Sequence, residues 1–564
     1  MKKKTKLAAV VAPVLAVSMA LTACGSDQKA NTETKDGNKG EAKLAAKQVI
    51  NLLELQEIPS MDSSLAKDEV SFIVLNNVME GLYRLDKNQK PVPGVADSYT
   101  KSDDGKTYTF KLRKDAKWSN GDPVTAKDFV FAWKRAVDPA TKSEYAYIMY
   151  DVKNANAINE GKAAPDTLGV KAVDDYTLEV QLEQAVPYFL DLTSFATFYP
   201  LNEKFVKEQG DKFGLEASTT LYNGPFTLSD WKHEQGWKYK KNEKYWDNKN
   251  VKLSEVNFSV VKDVGTSVNL FEAGDVDRVN RISSEFVDKY KGNKEIFVPE
   301  QDAGTYFLRL NQKRNGKDTV FANKNARLAI AKAFDKKALA NVILNDGSTA
   351  ADYLVGKNFV KGSDGKDFRA KYGDLLTTDT KKAKDYWDKA KKELGTDKVT
   401  IELLNYDTST SKKTGEYLKD QLEKNLPGLT VNIKQQPFKQ KLELETKMDY
   451  DFSFAGWGPD YPDPMTFLDM FETGNSHNEM NYSNPEYDKI IKAGKTTLLT
   501  NPKERLDQLA KAEKILLDDA AIAPIFQRGD ANIQRPFVQG IVRHNFGGSY
   551  SYKWAYVEEH DSKK

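Results

Sequence analysis

Cys24 is the only cysteine among 564 residues, so no disulfide can form within the chain and no cysteine cluster can hold a metal. The chain is longer than one hydrophobic core usually organises, so two or three lobes are expected. What precedes the cysteine sets the compartment. Lys2, Lys3, Lys4 and Lys6 stand ahead of an apolar run from Leu7 to Leu21, which ends in Leu21-Thr22-Ala23-Cys24-Gly25. Basic residues, a short apolar stretch and small residues at a cleavage point read as a secretory leader. The run is too short for a comfortable membrane span, and no later one approaches the roughly 18 apolar residues of a spanning helix.

Leu-Thr-Ala-Cys resembles the lipobox of bacterial lipoproteins, which implies removal of residues 1–23 and diacylation of the Cys24 sulfur. Two acyl chains, at about 0.8 kcal/mol per buried methylene, hold a protein at a membrane surface. The expected location is therefore the extracytoplasmic face of the cell membrane. Residues 24–47 then read as a flexible tether, because from Gly25 to about Lys47 there are no aromatic or β-branched aliphatic side chains to bury. The 84 basic and 82 acidic side chains give a formal charge of +2, and without the four leader lysines the balance is about −2. The basic excess of a nucleic-acid binder is missing.

Folding is expected to begin near Gln48, with an apolar strand from Val49 to Leu55 that ends at Glu57-Ile58-Pro59. Asp103-Asp104-Gly105-Lys106 is a turn, and the alternation from Tyr108 to Arg113 predicts a half-buried hairpin strand. Thr125 with Asp128 three residues on predicts a helix start. Phe129, Val130, Trp133 and Val137 form its apolar stripe and Pro139 ends it, with Trp118 and Trp133 read as core. More strands are expected at Tyr176 to Leu182 and around Phe226, Trp231 and Tyr239. After about Thr305 the texture becomes α/β: helices around Ala326–Phe334 and Ala383–Leu394 alternate with strands at Ile401–Tyr406 and Leu429–Ile433, and a helix around Leu509–Leu516 closes the region. No unit of 20 to 50 residues repeats, which argues against a solenoid or propeller.

The stretch Tyr450 to Pro464 reads YDFSFAGWGPDYPDP: a strand from Tyr450 to Phe454 opening into a rigid turn. Gly456 and Gly458 lack the Cβ atoms that would hold another backbone away, Trp457 offers a flat apolar wall, and Asp460 places a carboxylate at its end. Such a turn can hold an extended chain by its main-chain amides and pair its free ammonium. It can equally be a buried strand end closed by a Gly-Pro-Asp turn. Elsewhere, motifs for chemistry are absent. Lys489 stands where a phosphate loop ending in Gly494-Lys495-Thr496 needs its first glycine, His233-Glu234 has no second histidine at zincin spacing, and no Gly-x-Ser-x-Gly elbow occurs. Carboxylate pairs such as Asp460 with Asp463 are expected by chance among 82 acidic residues, so a glycosidase site is left without support.

The run DGKTYTFKLRKDAKWSNGDPVTAKDFVFAWKR, from Asp104 to Arg135, closely resembles the signature region of extracytoplasmic oligopeptide-binding proteins, the peptide-capturing components of ATP-driven importers. VPGVADSY from Val92, LGVKAVDDYTLEVQL from Leu168, YNGPFTLSDW from Tyr222, YWDNKNV from Tyr245, FAGWGPDYPDPMTFLDMF from Phe454 and NYSNPEYDKII from Asn481 agree in the same order. The resemblance implies a two-lobed, periplasmic-binding-protein-like α/β fold of the Venus flytrap kind, with hinge strands and an extra third domain. It places lobe I at residues 48–70, 200–303 and 528–564, the extra domain at 71–199 and lobe II at 304–527.

By the same resemblance Asp460 pairs with a peptide's N-terminal ammonium, and Gly456, Trp457 and Gly458 hydrogen-bond its main chain. Glu57, Ile58 and Pro59 line the groove from the first lobe, and Tyr145 and Tyr306 occupy aromatic groove positions. It implies a lipid-anchored monomer that is not an enzyme, needs no cofactor or resident metal, binds no nucleic acid, and works with a separate membrane permease and ATPase. Some relatives carry an arginine just before the Ala-Gly-Trp that serves the peptide C-terminus, and this chain has Phe454 there. A secreted carboxylate-dependent hydrolase, a surface adhesin, a receptor for a signalling peptide, and a binder of metal chelates, haem or oligosaccharides remain alternatives.

Overall fold

A computed structural model describes residues 43–362 and 364–560; the leader, Cys24 and residues 24–42 of the expected tether lie outside the described residues. Pairing starts a little before Gln48. Leu44 bridges Glu558, and the Ala45 amide donates to the Val557 carbonyl at 2.9 Å. The C-terminal segment thus clasps the entry to the first strand, β1 (Val49–Glu54). A loop leads to α1 (Glu69–Val78), whose first turn is capped by Asp68 accepting from the Ser71 amide.

Next comes a four-stranded antiparallel sheet of β2 (Ala96–Lys101), β3 (Thr107–Leu112), β4 (Val170–Asp174) and β5 (Thr177–Gln181), in the order β2-β3-β5-β4. Within it α2 (Ala126–Val137) begins as its sequence dictates. Asp128 reaches back to accept the Thr125 amide at 2.8 Å, completing a capping box. Trp133 of the predicted stripe is fully buried and donates to the Phe198 carbonyl at 2.9 Å, while Trp118 is buried against Asp128. Both tryptophans are core.

Apart from four short two-stranded ribbons, the remaining described strands make one large sheet. β6 (Phe226–Lys232), β7 (Gly236–Lys241), β8 (Glu255–Val260) and the short β9 (Arg278–Val279) gather around β1. β10 (Phe297–Leu310) follows, and after helices α3 (Lys324–Lys332) and α4 (Thr380–Leu394) the chain lays down β11 (Val399–Tyr406). Then come α5 (Ser409–Asn425), β12 (Leu429–Gln436), α6 (Phe438–Thr446), β13 (Phe452–Trp457), α7 (Pro502–Asp518) and β14 (Ile522–Gln534). The order is β12-β11-β13-β10-β14-β9-β1-β8-β7-β6.

Two strands carry the sheet from one lobe to the other. β10 and β14 are 14 and 13 residues long and pair antiparallel in two blocks, 297–301 with 529–533 and 305–309 with 522–527. The register breaks between Gln301 and Thr305, and such an irregularity bends a strand and re-aims the side chains beside it. One block faces β9 and the first lobe, the other faces β13 and the second. One expectation is corrected here: the strand read as Tyr450–Phe454 runs from Phe452 to Trp457. Gly456 and Trp457 therefore lie in the sheet, because β10 supplies pairing partners as far as Trp457.

Candidate functional site

Between the lobes lies a cavity of about 230 Å³, partly open to solvent. β13 and the turn after it form one wall, α1 and Leu55-Gln56 another, and the bent middles of β10 and β14 the floor. Tyr145 enters from the region of the four-stranded sheet, and the loop 544–549 closes in from the C-terminal segment. There the Gly547 amide donates to the Pro459 carbonyl at 2.9 Å.

Asp460 sits on this wall and is 5% exposed. Its position is fixed from behind: its amide donates to Thr466 Oγ1 at 2.9 Å, and Trp457 Nε1 donates to the Thr466 carbonyl at 2.8 Å. The carboxylate itself is poorly served, with Tyr145 Oη at 3.4 Å and Thr466 Oγ1 at 3.5 Å. Among the described residues no Lys, Arg or His nitrogen comes within 4.0 Å of it. Burial, and then the like charge of Asp469, hold its pKa well above the usual carboxylate range. A cation arriving here would relieve that penalty. Asp463, three residues on, is the contrast: Arg505 grips it with two nitrogens at 2.7 and 2.9 Å, so it is a structural ion pair.

The two glycines differ in role. A Cβ on Gly456 would lie 2.9 Å from the ring of Tyr306, its cross-strand partner, whereas a Cβ on Gly458 would meet nothing within 4 Å. Gly456 thus makes room for Tyr306, which stacks on Phe526 at 4.8 Å and Phe454 at 5.4 Å. Gly458 leaves open space at the cavity wall. Trp457 is 8% exposed, with Tyr145 parallel to it at 6.2 Å and the buried ring of His477 edge-on at 5.0 Å. β13 pairs with β11 only at Phe452 and Ser453, so among the described residues the edge from Phe454 to Trp457 that faces away from β10 has no strand beside it. That edge offers main-chain donors and acceptors.

Asp460, Trp457, Gly456, Gly458, Tyr306 and Tyr145 are thus brought to one cavity, and Glu57, Ile58 and Pro59 are not. Glu57 is consumed inside the first lobe, accepting from Trp231 Nε1 at 2.8 Å, His233 Nδ1 at 3.1 Å and the Glu234 amide. Ile58 is core. Leu55 and Gln56 reach the cavity instead, two residues earlier on the same loop. Phe454 stacks with Tyr306 and meets Tyr406 edge-on at 6.0 Å, so an aromatic cluster fills the position where an arginine was considered. Sequence reasoning missed His477 and the charged residues Arg309, Arg528 and Asp530. Arg309 carried a signal, since it interrupts the apolar run Phe307–Leu310, whereas Arg528 and Asp530 stand in the polar stretch Gln527–Asn532 and carried none.

His477 is 3% exposed and its Nε2 has no partner; burial, with Lys67 and Arg309 nearby, keeps its pKa far below the usual value, so the ring is neutral. Among the described residues no group of three or more His, Cys, Asp or Glu side chains is placed to hold a metal ion. None of the described helices is long and apolar enough to cross a membrane.

Comparison with known proteins identifies the family. The model for the middle part of the bacterial extracellular solute-binding proteins, family 5, matches residues 90–479. The dipeptide-binding protein DppE of Bacillus subtilis is 36% identical over 542 residues, covering 96% of this chain and 97% of its own. The crystal structure of an oligopeptide ABC transporter substrate-binding domain from Bacillus anthracis superposes with a TM-score of 0.91 at 60% identity, over 92% of this chain and 100% of that one. Listeria monocytogenes OppA bound to peptide gives 0.88 at 46% identity, over the same shares. The chain belongs to the family 5 bacterial extracellular solute-binding proteins.

Proposed function

We propose that this protein captures oligopeptides in the cavity between its lobes and delivers them to the permease of an ABC importer, whose separate ATPase drives uptake. The observation that carries this reading is Asp460: a buried carboxylate that, among the described residues, has no cationic side chain within 4.0 Å and stands at the end of an unpaired strand edge. A peptide's ammonium would supply the missing charge. Its backbone would extend the sheet along Phe454–Trp457, passing Gly458 where no Cβ intrudes. Main-chain bonds and one ammonium are common to all peptides, so such a site gives affinity without reading each side chain. Tyr145, Trp457 and Tyr306 would flank the guest.

Closure of the lobes lowers the dielectric around the Asp460 pair and strengthens its attraction, while desolvation opposes part of that gain. The resemblance of Leu21–Cys24 to a lipobox supports a diacylated Cys24 that keeps the protein at the extracytoplasmic membrane surface, and membership of a solute-binding family supports capture without catalysis. The test is titration calorimetry with a short peptide in free and N-acetylated forms, alongside native mass spectrometry of whatever co-purifies. Capture predicts an intact peptide in the mass spectrum and loss of affinity on acetylation. Equal affinity for the two forms would remove Asp460 as the anchor.

A further inference from the structure

Among the described residues, every lysine and arginine on the cavity wall already has a carboxylate. Lys67 holds Glu144 at 2.7 Å, and Arg281 holds Glu69 at 3.1 Å and Asp530 at 3.3 Å. Arg309 is paired with Glu479, and Arg528 with Asp302 and with Glu69 at 2.8 Å. The reverse does not hold. Besides Asp460, two wall carboxylates, Asp68 and Asp346, have no Lys, Arg or His nitrogen within 4.0 Å among the described residues. Asp68 accepts only from Ser71, at 2.9 Å from the amide and 2.7 Å from the hydroxyl, and Asp346 accepts from the Ser348 amide at 2.9 Å.

Asp530, 1% exposed at the cavity floor, is the contrast, since Arg543 lies at 3.0 Å, Arg281 at 3.3 Å and Arg528 at 3.7 Å from its oxygens. Once a peptide's ammonium has met Asp460, Asp68 and Asp346 still face the cavity without a cation, and among the described residues no wall lysine or arginine is free of a carboxylate. A lysine or arginine side chain suits such a wall, because it is cationic and carries three to five donors. An acidic side chain, or a C-terminal carboxylate, finds only cations that are already neutralised.

Resting on the peptide-capture reading, we infer that the cavity selects peptides bearing basic side chains, discriminates against acidic ones, and does not hold the C-terminal carboxylate by an ion pair. The guest class is a cationic oligopeptide whose only required terminus is the amino end.

The experiment is calorimetry at low salt on alanine-based peptides of one length, carrying Lys, Ala or Glu at an internal position, each as free acid and as amide. The lysine peptide is expected to bind at least tenfold more tightly than the glutamate peptide, with a gap that narrows as salt screens it. Amidation is expected to leave affinity within twofold or improve it. Asp346→Asn and Asp68→Asn, the latter keeping a good helix cap, are expected to shrink the Lys-over-Glu ratio at least threefold. Affinity for the alanine peptide and the melting temperature should stay as they are.

Glutamate peptides binding as tightly as lysine peptides, or a tenfold loss on amidation, would overturn the charge rule. The two readings fail separately. Equal binding across the set removes only the charge rule, whereas an N-acetylated lysine peptide binding as well as the free one removes the Asp460 anchor and leaves the charge rule standing. If no peptide in the set binds, both fall.

Discussion

The ring of Tyr306 lies 2.9 Å from the point where a side chain on Gly456 would begin, and the two residues face each other across paired strands. The glycine that reads in sequence as a place for a ligand's backbone is occupied by the protein's own aromatic stack. Gly456→Ala should therefore push Tyr306 off Phe526 and cost about 1–3 kcal/mol of stability, as overpacking does. Gly458→Ala should leave the melting temperature within about a degree and weaken peptide binding by about tenfold, or roughly 1.4 kcal/mol. Thermal melts and calorimetry on the two variants separate these roles, and equal behaviour would show the distinction to be wrong.

Asp460 predicts a proton signature. Its pKa is raised in the empty site by burial and by Asp469, so peptide binding to the ionised form must expel a proton wherever the empty site still holds one. Affinity should then rise with pH through that raised value and fall again as the peptide's own ammonium, with a pKa near about 8, loses its charge. The binding enthalpy should also depend on the ionisation heat of the buffer. Asp460→Asn should abolish both dependences and weaken binding by roughly 2–5 kcal/mol. For the ligand-free protein the sign is opposite: a carboxyl whose folded pKa lies above its unfolded one contributes stability at low pH that is lost as pH rises through the folded value.

How much of this could be read beforehand depended on whether the deciding contact was local. The start of α2 was legible because Thr125 and Asp128 cap it within one turn, and its buried stripe follows from helical spacing alone. Glu57 and Asp460 are both carboxylates just past strand ends, and nothing near either residue separates them. Trp231 and His233, from the hairpin of β6 and β7, decide the matter by taking Glu57's oxygens. The length of β13 was misjudged for the same reason, since the partners that keep Gly456 and Trp457 in the sheet lie on β10. Resemblance supplied what spacing could not, namely that residues so far apart meet around one groove.

A buried charge need not belong to the site. Arg369 and Glu513 are 2% and 0% exposed, and Glu513 Oε1 also accepts the Leu354 and Val355 amides at 2.8 and 2.9 Å. This pair ties α7 to the segment that follows α3. Glu513→Ala would strand a guanidinium and two amides, at a cost of about 3–5 kcal/mol. Because neither residue reaches the cavity wall, the peptide affinity of the fraction that remains folded should match the parent. Denaturant unfolding beside calorimetry checks both halves.

The last prediction concerns the seam between the lobes. Lys262, just past β8 in the first lobe, places Nζ 2.8 Å from Asp407, at the end of β11 in the second. Its carbonyl accepts the Ser409 amide at 3.0 Å. Both side chains are partly exposed, at 29% and 24%, so the ion pair contributes about 0.2–1 kcal/mol. Its two ends lie on different lobes, so the contribution applies to the closed arrangement and is lost when the lobes part. Lys262→Ala should therefore speed peptide dissociation by about two- to fivefold while the association rate, set by the open cleft, hardly changes. Raising the salt should bring the parent toward the variant, because a half-exposed pair is screened. Stopped-flow dissociation at two ionic strengths measures this directly. A variant that slows association and leaves dissociation unchanged would mean that the pair guides entry and does not hold the lobes shut.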